Sequence, residues 1–178
     1  MKRTVESKLL EWKNSTRRKP LMIRGARQVG KTWLAEHVLS AQFEKTIKID
    51  LEKRRGLHGI FEGNLDPKKM ISLLELASDR IVPGKTLLFL DEIQACPRAI
   101  TALRYFYEEL PELHLVAAGS LLEFAFDKIS VPVGRVQYLN LYPMTFQEYL
   151  LALDKAPMAE QIARHPAAIP PEAHSLIL

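Results

Sequence analysis

At 178 residues, 47% of them hydrophobic and 26% charged, the chain is long enough to form one domain that buries most of its apolar surface, which excludes wholesale disorder. No apolar run approaches the roughly 20 residues that span a bilayer, and Glu6 and Glu11 interrupt the basic N-terminus, so neither a membrane partner nor a signal peptide is expected. A single cysteine, Cys96, excludes an intramolecular disulfide and fits a reducing, cytoplasmic setting, while the net charge of +4 leaves anionic partners open.

In chain order, Val5, Leu9 and Trp12 recur at helical spacing and predict a lead-in helix within residues 1–18. The run "PLMIRG" (20–25) reads as a strand entering a loop. Leu34, Ala35, Val38 and Leu39 form a helical stripe within 31–42, and "TIKIDLE" (46–52) alternates as a second strand. Asp66-Pro67 opens a helix, with Asp as cap and Pro in the first turn. "TLLFLDE" (86–92) is almost wholly apolar until two carboxylates, as expected of a strand buried on both faces.

Pro97 starts a further helix, with Ile100, Leu103, Phe106 and Leu110 on one face. "LHLVAAGS" (113–120) is a fourth strand, and Ser120 with Glu123 would cap a short helix after it. "VQYLNLY" (136–142) is a fifth strand, and Thr145 with Glu148 caps one more helix. Strands alternating with helices predict an α/β fold with a mainly parallel five-stranded sheet sandwiched by helices. Residues 154–178 change character, with four prolines and several alanines, and read as a linker.

The loop "GARQVGKT" fits the phosphate-binding pattern G-x-x-x-x-G-K-[ST]. Gly25 and Gly30 permit backbone conformations that turn successive amides inward, so Gly25, Ala26, Arg27, Gln28, Val29, Gly30, Lys31 and Thr32 are the expected nucleotide-binding residues. The helix beginning at Lys31 adds its positive end, Lys31 places a cation on the outer phosphates, and the Thr32 hydroxyl suits Mg²⁺. Asp91, ending a buried strand, would hold the same ion from the other side, and Glu92 would orient or deprotonate an attacking water. Because side chains alternate along a strand, this requires the strand to end near Asp91.

A complete strand, 46–51, lies in sequence between the lysine strand and the Asp-Glu strand; an inserted central strand with a glutamate after the aspartate is the pattern of ATPases that activate water. Ser120 follows the fourth strand, where it would either sense the γ-phosphate or cap the next helix.

The stretches "KPLMIRGARQVGKTWL" (19–34), "LLFLDEIQACPRAITALRYFYEE" (87–109), "LVAAGSLLEF" (115–124) and "VPVGRVQYLNLYPMTFQEYL" (131–150) resemble predicted prokaryotic AAA+-type ATPases, in which an N-terminal ATPase domain precedes a C-terminal domain of unknown function. The resemblance implies an additional-strand P-loop ATPase fold over residues 19–153, with Gly25 to Thr32 as Walker A, Asp91 and Glu92 as Walker B, and Ser120 as sensor. It implies ATP and Mg²⁺ as ligands, with Lys31, Glu92 and Ser120 catalytic. It also points to Arg135, which would either neutralise charge at the γ-phosphate or pair with a surface carboxylate; Arg27, Arg98 and Arg104 are the alternatives. Residues 154–178 would then lead toward a missing C-terminal domain.

Partners beyond ATP and ADP stay open between a homo-oligomer, that domain and nucleic acid. The clusters Arg17-Arg18-Lys19 and Lys53-Arg54-Arg55 would serve nucleic acid or be solvated loops. An ATP-dependent switch with negligible hydrolysis by the isolated chain is the alternative function.

Overall fold

The computed structural model describes residues 3–120 and 134–164, and the helix expected after Ser120 lies outside them. The chain divides into two compact units, Ser7–Tyr142, and Met1–Glu6 with Pro143–Leu178.

In the larger unit, α1 (Glu6–Asn14, begun in the smaller unit) leads into β1 (Leu21–Arg24). Helix α2 (Lys31–Trp33) continues over Leu34–Leu39 in wider turns that bond five residues back, as the Ser40 amide does to the Ala35 carbonyl. There follow β2 (Lys45–Asp50), α3 (Pro67–Ala77), β3 (Thr86–Asp91), α4 (Pro97–Glu109), β4 (His114–Gly119) and β5 (Gln137–Asn140). The expected cap is in place on α3, where the Asp66 carboxylate accepts from the Lys68 and Lys69 amides.

All strand pairs are parallel and the order is β2-β3-β4-β1-β5. Residues 46–51, read as the inserted strand, form most of β2 and take an edge. The strand inserted between β1 and β3 in space is β4. Burial explains the difference. Every residue of β3 and β4 is buried, whereas β2 exposes Lys48 and half-exposes Lys45, Thr46 and Asp50, as an edge strand can.

Alternation sorts the apolar residues onto two faces. Met22, Ile47, Ile49, Leu88, Leu90, Leu115 and Ala117 join one core with Met70 and Leu74 of α3 and Ile100, Leu103 and Phe106 of α4. Leu21, Ile23, Phe89, Val116 and Ala118 are buried on the other face, the face that carries Asp91. Cys96 is buried at the cap of α4 beside Pro97, and burial pushes its thiol pKa up, so it is a packed residue poorly suited to be a nucleophile.

In the smaller unit, α5 (Phe146–Ala152) has the expected capping box between Thr145 and Glu148. Glu148 is buried, and burial opposes its ionisation. The Thr145 and Thr4 amides, the Thr4 hydroxyl and the Arg3 guanidinium at 3.2 Å outweigh that and hold its pKa near about 2. The segment read as a linker begins with a helix, α6 (Ala156–Arg164). Pro157 sits in the first turn, where its missing N–H costs nothing, and Met158, Ala159 and Ile162 turn inward from the remaining good helix formers.

Candidate functional site

Sheet order alone brings the predicted residues together. Loop 25–30 leaves the C-terminal end of β1, Asp91 ends β3 and Ser120 follows β4, so the three meet at one edge of three consecutive central strands. In open α/β sheets this carboxyl edge is where ligands bind.

Gly25 lies against the next strand's exit. A Cβ there would stand 2.1 Å from the Leu141 carbonyl oxygen, which no side chain tolerates. Gln28 (φ 63°) and Gly30 (φ 97°) take left-handed conformations that curl the loop back over the start of α2. For Gln28 that conformation costs about 1–2 kcal/mol, strain of the kind loops carry at ligand sites.

Lys31 is 7% exposed, and its ammonium donates to the Gly25 and Ala26 carbonyls at 3.0 and 2.7 Å. Burial lowers its pKa and Arg27 adds to this, while Glu92 and Asp91 pull the other way. The lysine is thereby stored on its own loop, facing the carboxylates.

The Thr32 hydroxyl lies 3.2 and 3.1 Å from the two oxygens of Asp91, whose residue is 5% exposed. A hydroxyl and a carboxylate meeting on hard oxygen atoms are a donor set that suits Mg²⁺ with water completing its shell, so the residues present fit that ion. Strand β3 stops at Asp91, and Glu92 is forced into a left-handed conformation (φ 49°) that breaks the alternation. Its amide bonds the Asp91 carboxylate at 3.1 Å, and its carboxylate accepts from the Gln94 side-chain amide. The turn swings Glu92 into a cleft of about 540 Å³ that it shares with Lys31, Thr32 and the buried Ser120. Arg27, Trp33 and Glu52 also line this cleft.

Arg135 is not brought to this place. It precedes β5, whose first residue pairs with the first residue of β1, so it lies at the opposite edge of the sheet from the loop. There it pairs with Glu108 at 3.1 Å, which Arg104 also contacts. A role at the phosphates of its own chain is thereby corrected to the alternative reading, a surface ion pair. Arg98 binds the Gly63 carbonyl, and of the arginines considered Arg27 alone reaches the cleft.

The two basic clusters separate likewise. Lys53–Arg55 follow β2 at the carboxyl edge, whereas Arg17–Lys19 precede β1 and line a larger cleft of about 920 Å³ at the other edge. They do not form one continuous footprint. The larger cleft contains none of the predicted phosphate residues, whereas Arg27, Gln28, Gly30, Lys31, Thr32, Glu92 and Ser120 line the smaller one.

Lys48, beside Asp91, and Glu36, which Lys48 also contacts, escaped the sequence reading. The Lys48 ammonium lies 3.1 Å from Asp91 Oδ2 and 2.7 Å from Glu36 Oε1. Alternation in β2 puts Lys48 opposite Ile47 and Ile49, a pattern that looks like an ordinary solvated face.

A parallel sheet in this order, with a glycine loop entering a helix and an acidic strand end across from it, defines a nucleotide-binding, ATPase-like domain. The model of the AAA domain matches residues 17–150, and the chain belongs to that family. Among solved structures, C. elegans PCH-2 is similar at a TM-score of 0.42 and 19% identity, over 94% of this chain and 48% of that one. The chain therefore spans about half the length of that protein. No curated protein matches it. Among the described residues, no helix is long and apolar enough to cross a membrane.

Proposed function

We propose that this chain binds ATP with Mg²⁺ and hydrolyses it to ADP and phosphate. The observation that carries the reading is the hydroxyl–carboxylate contact of Thr32 with Asp91, made across the mouth of a loop whose lysine is already buried beside it.

In this reading the amides of residues 25–30 receive the polyphosphate, and Lys31 exchanges its two carbonyl partners for phosphate oxygens. Thr32 and Asp91 would hold Mg²⁺, which when bound neutralises charge on the outer phosphates. Glu92, turned out of the strand by its left-handed backbone, accepts a proton from the attacking water and orients it along the line of the leaving group. Ser120, buried at the end of the intervening strand, donates toward the γ-phosphate. Walker A is thus Gly25 to Thr32, and Walker B is Asp91 with Glu92.

Steady-state phosphate release tests this. Glu92→Gln is expected to lower turnover by about 10²-fold or more while leaving nucleotide affinity within a few-fold. A variant as fast as the parent would remove Glu92 from the chemistry.

One observation favours the slower, switch-like alternative. Arg135 is held by Glu108 at the far edge, so among the described residues the only cations on the cleft wall are Lys31 and Arg27. An arginine acting on the transferred phosphate is worth roughly 10³–10⁵ in rate, so the isolated chain would turn over slowly without one.

A further inference from the structure

Thr32 and Glu36 stand one turn apart on the helix that follows the glycine loop. Asp91 and Lys48 stand on the facing side of the sheet, on neighbouring strands. Lys48 is in register with Phe89, two residues before Asp91, and so shares its face. The four side chains form a row: the Thr32 hydroxyl contacts Asp91, Lys48 bridges Asp91 and Glu36, and the Lys48 ammonium lies 5.7 Å from the centre of the Phe89 ring.

We propose that Lys48 is the built-in counter-ion of the metal-binding carboxylate: it neutralises Asp91 while no divalent cation is bound, and withdraws to Glu36 when one is taken up. This rests on the reading of Thr32 and Asp91 as the metal's ligands.

Burial makes a counter-ion necessary. Asp91 is 5% exposed, and a carboxylate so far out of water is costly without a partner. The geometry also makes the partner removable. Lys48 retains 32% exposure, its stem is long, and Glu36 already accepts its ammonium at the shorter distance, 2.7 Å against 3.1 Å. A divalent ion held by Asp91 would repel an ammonium left in contact with the same carboxylate, so release of Lys48 is part of the cost of metal uptake. A purely structural ion pair predicts something different: its loss would loosen Asp91 and weaken the metal.

The test is a Mn²⁺ titration of the nucleotide-free protein, following the free-ion paramagnetic resonance signal, on the full chain and three variants whose folding is checked by circular dichroism. Lys48→Met is expected to lower the half-saturating Mn²⁺ concentration by roughly tenfold. Lys48→Arg, which keeps the charge, should stay within about twofold of the parent. Asp91→Asn should raise the half-saturating concentration. If Lys48→Met is unchanged or binds Mn²⁺ more weakly while Asp91→Asn is impaired, the counter-ion role fails and the metal site stands. If Asp91→Asn binds Mn²⁺ as the parent does, the metal-site reading falls and the Lys48 proposal with it. Should Lys48→Met not fold, Lys48→Gln is read by the same criteria.

Discussion

Gly25→Ala probes the seating of the glycine loop on the sheet. The new methyl would lie 2.1 Å from the Leu141 carbonyl oxygen and 3.1 Å from its carbon, where Cβ contacts under 3.0 Å essentially never occur. The obstacle is backbone, so no rotamer change relieves it, and the chain must open by at least about 0.9 Å. The part that moves is the exit of β5, which the Leu141 amide ties to the Arg24 carbonyl at 2.8 Å. Opening by that amount forfeits the hydrogen bond, worth about 1 kcal/mol, and overpacking adds about 1–3 kcal/mol. The expected loss is therefore about 2–4 kcal/mol in urea unfolding. Because the displaced segment lies directly against Gly25 of the glycine loop, affinity for a fluorescent ADP analogue should fall by at least tenfold in protein that remains folded. A variant within 0.5 kcal/mol of the parent that keeps its affinity would show that the close approach does not shape the loop.

Glu92→Gly should relieve the left-handed backbone and raise unfolding stability by about 1 kcal/mol while abolishing phosphate release, and a loss of stability would contradict the strain. His114 is buried between Trp12 and Phe43, and burial, reinforced by the Arg18 and Lys13 charges, lowers its pKa to about 4. The unfolded chain takes up that proton near pH 6.5, so stability present above this pH should fall by up to about 3 kcal/mol as the pH drops toward 4, with His114→Phe flattening that part of the urea-midpoint profile. Glu148→Ala removes a carboxylate that the buried Arg3 contacts at 3.2 Å and the capping box of α5, which should cost about 3–5 kcal/mol by the same assay. Arg135→Ala, which removes only an exposed pair with Glu108, should change stability by under about 1 kcal/mol and leave nucleotide affinity unaltered.

The sequence carried the strands and helices that surround the glycine loop because each has a short-range physical cause. The fully buried run 86–91 could only be a central strand, and the Asp66 and Thr145 caps announced their helices. The end of β3 at Asp91 followed from asking how two adjacent carboxylates could face one ligand, and Glu92 answers it with a positive φ. Spatial order was harder. Position along the chain suggested that residues 46–51 lie between the lysine and Asp-Glu strands, whereas crossovers place β4 there, and the partial exposure of β2 was the available sign.

Lys48 escaped because one polar residue in an alternating strand carries no motif; its meaning comes from Glu36 and Asp91, 12 and 43 residues away in the chain. Arg135 misled in the opposite sense. The family resemblance pointed to it, with a surface ion pair as the alternative, but a residue that precedes a parallel strand lies at the amino edge. The prolines in 154–178 masked α6, since a proline in the first turn favours the helix it seems to break.

The most direct measurement is a crystal structure with a non-hydrolysable ATP analogue and Mg²⁺. The account predicts the β- and γ-phosphates within the loop of residues 25–30, Lys31 moved off the Gly25 and Ala26 carbonyls, and the Thr32 hydroxyl at about 2.1 Å from the metal. Nucleotide seated in the larger cleft beside Arg17–Lys19, or phosphates bound with Lys31 still on its own carbonyls, would contradict it.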